Sequence, residues 1–103
     1  MEFEDSWLEV RACAGGGQTA EADSSMLKVP AISEALEAAA SVSRHPGMWD
    51  YSRRLVSAEV KAIQSVLELV KTSEDGRSVS HSINVAYKGL CYTLTLFEIK
   101  RSQ

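Results

Sequence analysis

The strongest constraint on the fold is an alternation of apolar and polar residues, with a period of two, that extends over residues 79–99. This period is typical of β-strands with one buried face. Lys88-Gly89 interrupts the alternation and predicts a two-residue hairpin turn, because Gly89 takes a positive φ at little cost. A slip of one residue would exchange the two faces, so the pattern itself selects the register. The expected pairs on the apolar face are Tyr87 with Leu90, Val85 with Tyr92, Ile83 with Leu94 and His81 with Leu96.

The opposite face of the predicted hairpin is polar for most of its length. It carries mainly serine, threonine and asparagine, and it ends in two large apolar residues, Phe97 and Ile99. Large apolar side chains on an otherwise polar face indicate a surface that a partner covers. We therefore expect Phe97 and Ile99 to belong to an interface.

Residues 51–72 are expected to form one long helix, with Asp50 as its N-cap and a turn at residues 73–76. At about 100° per residue, its apolar side chains cover an arc of roughly 200°, well beyond the stripe of about 100° that a surface helix needs. Two adjacent stripes make up this arc: Val56, Val60, Ile63, Leu67 and Val70, and Leu55, Ala58, Ala62, Val66 and Leu69. Such a helix must bury two flanks, and we assign Leu55 and Leu69 to the predicted interface.

The N-terminal half completes the predicted fold. Residues 7–13 alternate as a short strand that joins the hairpin beside either of its strands. Residues 14–25 contain three consecutive glycines but no phosphate-binding motif, so a flexible surface loop is expected. Pro30 opens an alanine-rich amphipathic helix over residues 30–44. Its apolar stripe consists of Ile32, Ala35, Leu36, Ala39 and Val42. The sequence thus predicts a single α+β domain over residues 1–103 in the order β-α-α-β-β, with a three-stranded antiparallel sheet and two helices on one face.

Composition and charge argue against several classes of protein. The chain has 103 residues, 45% of them hydrophobic and 24% charged, which suits one domain with its own core. A formal net charge of −3 and a pI of about 5.3 argue against a nucleic-acid or anionic-membrane partner. No apolar run has the length of a membrane span, and acidic residues precede the first apolar stretch, so a cytoplasmic protein is expected. Cys13 and Cys91 are then expected to be free thiols.

No combination of residues points to a reaction. The two histidines, His45 and His81, match no catalytic triad and, with the two cysteines, no zinc-binding spacing. His81 falls on the apolar face, where a half-buried histidine with satisfied hydrogen bonds is the ordinary case. We therefore expect no catalytic residue, no metal ligand and no cofactor.

Glu59 is the charged residue that the pattern places in the middle of the apolar arc. A carboxylate there must be paired, protonated or close to a cavity if the arc is buried. Three explanations stay open: an ion pair with Arg11, Arg44 or Arg53 or a hydrogen bond from a tyrosine; access to water; or a ligand pocket with aromatic walls. The predicted ligand-binding residues are Glu59, Trp49, Tyr87, Tyr92 and His81.

Two functions from different classes follow from these patterns. The surplus apolar surface of the long helix, together with Phe97 and Ile99, predicts a non-catalytic interaction or regulatory module that forms a homodimer or joins a small complex. The alternative is a small-molecule binding protein or a small enzyme with Glu59 in an apolar pocket, a cationic ligand being one option. A pocket beside Glu59 would favour the alternative, and a packed ion pair would count against it.

Overall fold

The computed structural model describes residues 3–13, 19–42 and 50–100. Within these ranges the chain forms six β-strands and three α-helices. The elements are β1 (Phe3–Ala12), β2 (Thr19–Glu21), α1 (Ser24–Leu27), α2 (Pro30–Val42), β3 (Asp50–Leu55), α3 (Ser57–Val66), β4 (Val70–Glu74), β5 (Ser78–Tyr87) and β6 (Leu90–Lys100). The α+β class predicted from the sequence is confirmed, but the number of elements is larger than predicted.

The hairpin of β5 and β6 forms the centre of the sheet, and its predicted register is confirmed. Lys88 and Gly89 form the turn with φ values of 51° and 79°. Two positive φ values match the right-handed twist of the flanking strands. The ammonium of Lys88 also pairs with Glu37 of α2 at 2.9 Å. The observed pairs include Tyr87 with Leu90, Val85 with Tyr92, Ile83 with Leu94 and His81 with Leu96.

The sheet is larger than predicted. β1 pairs antiparallel with β6, and β3 pairs antiparallel with the other side of β1. Two short strands share the outer edge of β5: β4 runs antiparallel to it along residues 79–82, and β2 runs parallel to it along residues 84–86. The predicted three-stranded antiparallel sheet is therefore wrong. The sheet is six-stranded and mixed, with the order β2-β5-β6-β1-β3 and with β4 also paired to β5.

The single long helix expected over residues 51–72 is also wrong. Residues 50–55 form the edge strand β3, residues 57–66 form the short helix α3, and residues 70–74 form β4. Along β3, Leu55 is buried on the core side of the sheet. Arg53, two residues earlier, lies on the same side. Its charge interrupts the alternation of apolar and polar residues that would have indicated a strand. Along α3, Val60 and Ile63 are buried at helical spacing. The wide apolar arc arose because the apolar residues of a strand and of a short helix were projected together onto one long helix.

The helices pack on one face of the sheet and form a continuous core with it. From α2, the buried residues are Ala31, Ile32, Ala35, Leu36 and Ala39, four of which belong to the predicted apolar stripe. From the sheet, Leu8, Val10, Val85, Tyr92, Leu94 and Leu96 join the same cluster. Full burial of each leucine or isoleucine stabilises the fold by about 1.5–3 kcal/mol. None of the helices in the described ranges has the length and apolar character needed to cross a membrane.

Cys13 and Cys91 form a disulfide bond, so the prediction of free thiols is wrong. The antiparallel pairing of β1 with β6 continues one residue beyond Ala12, which places Cys13 across from Cys91. Their Cα atoms are 5.5 Å apart, and the Cys13 amide donates to the Cys91 carbonyl at 3.2 Å. Because 78 residues separate them in the chain, only the strand register brings them together.

The segment predicted as a flexible loop is partly regular. Residues 14–18 lie outside the described residues, whereas residues 19–21 form β2 and residues 24–27 form α1. Asp23 caps α1, because its carboxylate accepts from the Met26 amide at 3.0 Å. The Ser25 hydroxyl also donates to Asp23 at 2.7 Å. These bonds, with the Ser25 hydroxyl bond as the largest cause, lower the pKa of Asp23.

Candidate functional site

We call the side of the sheet opposite the helices the open face. Its residues on β1, β3, β5 and β6 alternate with those that point into the core. None of the described residues of the open face belongs to the hydrophobic core cluster. An antiparallel sheet leaves one face to water only if that face is polar, so apolar side chains on it indicate a covering partner.

One end of the open face carries three large apolar side chains, which we call the aromatic cluster: Trp7, Phe97 and Ile99. Trp7 on β1 lies directly opposite Phe97 on β6, and Ile99 follows on the same face of β6. All three are partly exposed. They line a groove of about 350 Å³ together with Glu9, Ser52 and Ser78. The predicted placement of Phe97 and Ile99 on this face is confirmed. Trp7 was missed, although the alternation places it on the same face as Glu9 and Arg11.

Charges of both signs surround the aromatic cluster. Asp5 forms an ion pair with Arg54, and Glu9 forms one with Arg11. The two arginine side chains are 68% and 61% exposed, respectively. Ion pairs exposed in this way contribute about 0–1 kcal/mol. The charged side chains of these two ion pairs can therefore pair with charges on another molecule at little cost in free energy.

The middle of the open face is a band of hydroxyl groups. Thr72 Oγ1 of β4 lies 3.0 Å from Ser80 Oγ, and Ser82 Oγ lies 3.1 Å from Thr95 Oγ1. Because these hydroxyls bond to each other across strands, they stabilise the sheet without apolar contact. The predicted polar character of this part of the hairpin is confirmed.

A second concavity lies at the outer edge of β5, between β2 and β4. Its volume is about 780 Å³, within the range of about 300–1,000 Å³ that is usual for small-molecule sites. Leu69, Val70 and Ile83 supply apolar contacts, and Glu68 is the only ionisable side chain among the described residues of the lining. The other lining residues are Thr19, Ala20, Thr72, Ser82, Asn84 and Thr93. The cleft therefore suits a ligand that is neutral or carries one positive charge.

Glu59 is paired with Arg53, which was one of the explanations left open by the sequence. It is the third residue of α3, and its side chain is 25% exposed. Glu59 Oε2 accepts from Arg53 Nη2 at 2.9 Å, and Oε1 accepts from the Val56 amide at 3.1 Å. A carboxylate in the first turn also suits the positive end of the helix dipole. Both oxygens are bound by the protein, which counts against a ligand pocket around Glu59.

Arg53 connects three elements through this ion pair. Besides Glu59 of α3, its guanidinium binds Glu34 of α2. The hydrogen bond from Arg53 to Glu34, supported by the charge of Glu59, raises the pKa of the guanidinium. The ion pairs of Arg53 with Glu34 and Glu59 therefore hold β3 against α2 and α3, which is a structural role.

The other predicted ligand-binding residues do not form one pocket. Tyr92 is 1% exposed and belongs to the core. Tyr87 lies at the turn end of β5, and its hydroxyl donates to Glu37, a bond that raises the pKa of the tyrosine. His81 shares the face of Tyr87 but lies six residues away, or about 20 Å along the strand. Trp49 lies outside the described residues.

Two of the four predicted interface residues lie away from the open face. Leu55 is 7% exposed and belongs to the core, so it does not reach a partner in this fold. Leu69 is partly buried against the core and lines the cleft beside β5. The surplus helix surface that motivated both assignments is absent, because residues 51–72 do not form one helix.

Among the described residues, the acidic residue that the fold buries is Glu98, which the sequence did not single out. Glu98 lies on the core face of β6 and is 5% exposed. Gln64 Nε2 of α3 donates to Glu98 Oε1 at 3.3 Å. Loss of water around the carboxyl raises the pKa of Glu98, and the charge of His81 opposes that effect. The alternation contained the signal, because Phe97 and Ile99 on one face require Glu98 on the other.

Comparisons with known proteins assign no family. No protein-family model, curated protein or solved structure shows significant similarity to the chain. Within residues 3–13, 19–42 and 50–100, no three His, Cys, Asp or Glu side chains are grouped to hold a metal ion. A function is therefore inferred from the open face, the cleft beside β5 and Glu98.

Proposed function

We propose that the protein is a non-catalytic interaction module that binds its partner through the aromatic cluster. The observation that carries the proposal is that Trp7, Phe97 and Ile99 lie together on the face without helices and outside the core. Aromatic residues at the centre of a patch contribute most of the affinity in many protein interfaces. The adjacent groove of about 350 Å³ leaves room for a side chain of the partner.

The proposed partner is a second copy of the chain. Two-fold dimers are the commonest oligomers, and they bring the same patch of both subunits together. The open face suits this arrangement because Asp5 and Glu9 lie beside Arg54 and Arg11. A copy rotated by two-fold symmetry then brings opposite charges within reach of each other. A different subunit is the alternative partner for the same surface.

Sedimentation velocity tests this proposal. The wild-type protein should self-associate, and Phe97→Ser should weaken the association at least about tenfold, because it removes a central aromatic anchor. Thr93→Ser is the matched control, since Thr93 lies on the same strand and face but outside the aromatic cluster, where its hydroxyl donates to Asn84 Oδ1. Circular dichroism checks that both variants fold. A wild-type protein that is monomeric at about 50 µM overturns the homodimer.

The disulfide bond suggests where this module works. Structural disulfides persist in oxidising compartments and are rare in the reducing cytosol. From the bond between Cys13 and Cys91, we infer an oxidising compartment in place of the cytoplasm expected from the sequence. Alkylation of thiols at the moment of cell lysis tests this inference. Two protected cysteines are expected, and two alkylated cysteines would restore the cytoplasmic expectation.

A second candidate function is small-molecule binding in the cleft beside β5. Its volume of about 780 Å³ and its apolar floor with hydroxyl and amide groups favour this function. A thermal-shift screen with small organic cations and neutral polyols tests it. Glu68→Gln should reduce the shift caused by cations and leave the shift caused by neutral compounds unchanged. The absence of any shift would remove this candidate.

A further inference from the structure

We propose that Glu98 is a proton-controlled switch for the aromatic cluster. With the carboxyl group protonated, the C-terminal end of β6 stays packed and the cluster is assembled; ionisation loosens both. This inference rests on the proposed function of the open face and adds a regulation of that same surface.

The position of Glu98 connects the core with the open face. Its neighbours Phe97 and Ile99 lie on the open face, whereas Glu98 lies on the core face. The three residues are close to the end of β6 (Leu90–Lys100) and opposite the beginning of β1. The pairing of β1 with β6 is irregular there, with a register shift between Phe3 and Asp5. A strand end with an irregular ladder opens more readily than the middle of a sheet.

The groups around the Glu98 carboxyl do not balance a negative charge. Ser6 lies opposite on β1 and Val79 lies opposite on β5, and both are buried. From α3, Gln64 donates one neutral hydrogen bond at 3.3 Å. His81, diagonal to Glu98 on β5, is the titratable group whose charge favours the ionised form. A buried carboxylate whose hydrogen-bond partner is neutral is costly, because that partner does not replace the lost hydration.

The cations on neighbouring elements are engaged or exposed. Arg53 on the core side of β3 is held by Glu34 and Glu59. Lys61, one turn before Gln64 on α3, is exposed. Among the described residues, no lysine or arginine forms an ion pair with Glu98. Within the same part of the chain, the electrostatic effect that opposes the burial of the Glu98 carboxyl comes from His81.

The direction of the switch follows from the burial of Glu98. Burial favours the neutral carboxyl and raises its pKa in the packed state. Below the pKa that Glu98 has in the unfolded chain, its burial costs the packed state no free energy. As the pH rises towards the pKa of Glu98 in the packed state, this free-energy cost grows, and above that value it is complete. The carboxylate regains water when the end of β6 separates from β1 and β5, and this separation moves Phe97 and Ile99 away from Trp7.

Hydrogen exchange of the amides of residues 97–99 tests the switch within one chain. After correction for intrinsic rates, their protection should fall in the wild-type protein as the pH rises from about pH 4, below the ordinary pKa of a glutamate, to about pH 8, by up to tenfold for each unit of pKa difference between the packed and loosened states. The central hairpin amides at residues 83–94 serve as the internal reference. Glu98→Gln, and the second variant Glu98→Leu, should keep the high protection at every pH.

Glu21→Gln is the matched control for this experiment. Glu21 is exposed on β2, so the substitution makes the same change in charge without touching the core. Its exchange profile should follow that of the wild-type protein. If Glu98→Gln shows the same loss of protection with pH as Glu21→Gln, the switch is refuted.

Self-association measured in parallel separates this inference from the proposed function. Because the net charge of −3 disappears near the pI of about 5.3, every variant should associate more readily in acid. The decisive quantity is therefore the ratio of association constants of Glu98→Gln and Glu21→Gln. This ratio should be near one at about pH 4 and rise by about pH 8 by up to about tenfold for each unit by which burial raises the pKa of Glu98.

The possible outcomes distinguish the two ideas. Monomers at every pH, together with protection of residues 97–99 that depends on Glu98, refute the proposed self-association and leave the switch in place. Association that is equally dependent on pH in Glu98→Gln and Glu21→Gln, with identical exchange profiles, refutes the switch and leaves the proposed function in place.

Discussion

Removal of the disulfide between Cys13 and Cys91 should destabilise the fold by about 2–4.5 kcal/mol. The bond closes a loop of 78 residues. In the chain-entropy model, a loop of this length lowers the entropy of the unfolded chain by about 15 cal/mol/K, or about 4.5 kcal/mol at 25 °C. Measured values are commonly about 2–4 kcal/mol. Residual compactness of the unfolded chain reduces the effect, so 4.5 kcal/mol is the upper bound.

The native state should change little when the bond is removed. Cys13 and Cys91 lie at the end of the ladder between β1 and β6, next to the paired residues Ala12 and Tyr92. Both cysteines are only half-buried. The backbone hydrogen bond between them, at 3.2 Å, does not need the sulfur atoms. The loss of stability should therefore come from the unfolded chain.

Urea unfolding of the wild-type protein, with and without a reductant, is the assay. A variant that carries both Cys13→Ala and Cys91→Ala should match the reduced wild-type protein within about 1 kcal/mol and should not respond to the reductant. Two free thiols in the denatured, unreduced wild-type protein would refute the bond itself. A difference below about 0.5 kcal/mol between the oxidised and reduced proteins would refute the entropy argument.

Three further predictions concern single side chains. Leu94→Ala removes a fully buried side chain and should cost about 2–5 kcal/mol, whereas Thr93→Ala on the open face should cost less than about 1 kcal/mol; the reverse order in a denaturant melt would contradict the register. Glu98→Gln should stabilise the protein at neutral pH by about 1.4 kcal/mol for each unit by which burial raises the pKa of Glu98, and this gain should vanish below the unfolded pKa. Melting curves between about pH 4 and pH 8 measure the gain, and a gain that does not vary with pH would contradict the burial argument. Glu59→Leu removes a cap and leaves Arg53 with one partner fewer, so it should cost about 1–2 kcal/mol at neutral pH; a more stable variant in the same assay would mean that the carboxylate is poorly solvated after all.

Local patterns were sufficient for the hairpin and for α2. The alternation of residues 79–99 and the positive φ of Gly89 specify which side chains share a face, and both depend on neighbours within a few residues. The placement of Phe97 and Ile99 on the open face followed from the same alternation. Trp7 required the additional knowledge that β1 lies beside β6.

Residues 51–72 show where local patterns become ambiguous. Val56, Val60, Ile63 and Leu67 fit one helical stripe, yet β3 ends at Leu55 and α3 ends before Leu67. Short apolar segments satisfy the periods of a strand and of a helix equally well. Pairing with β1 decided for the strand, because a strand at residues 50–55 hydrogen-bonds to the outer edge of β1, whereas a helix bonds within itself and would leave that edge unpaired.

The α+β class, the register of the hairpin and the buried stripe of α2 could be predicted from local residues, since each follows from the periods of nearby side chains. The meeting of Cys13 with Cys91 and the burial of Glu98, in place of Glu59, became apparent in the folded structure. Burial and pairing depend on elements that are distant in the chain. The Glu59 carboxylate, in the first turn of α3, accepts hydrogen bonds from Arg53 and from the Val56 amide. The Glu98 carboxyl, on the core face of the sheet, loses its hydration instead.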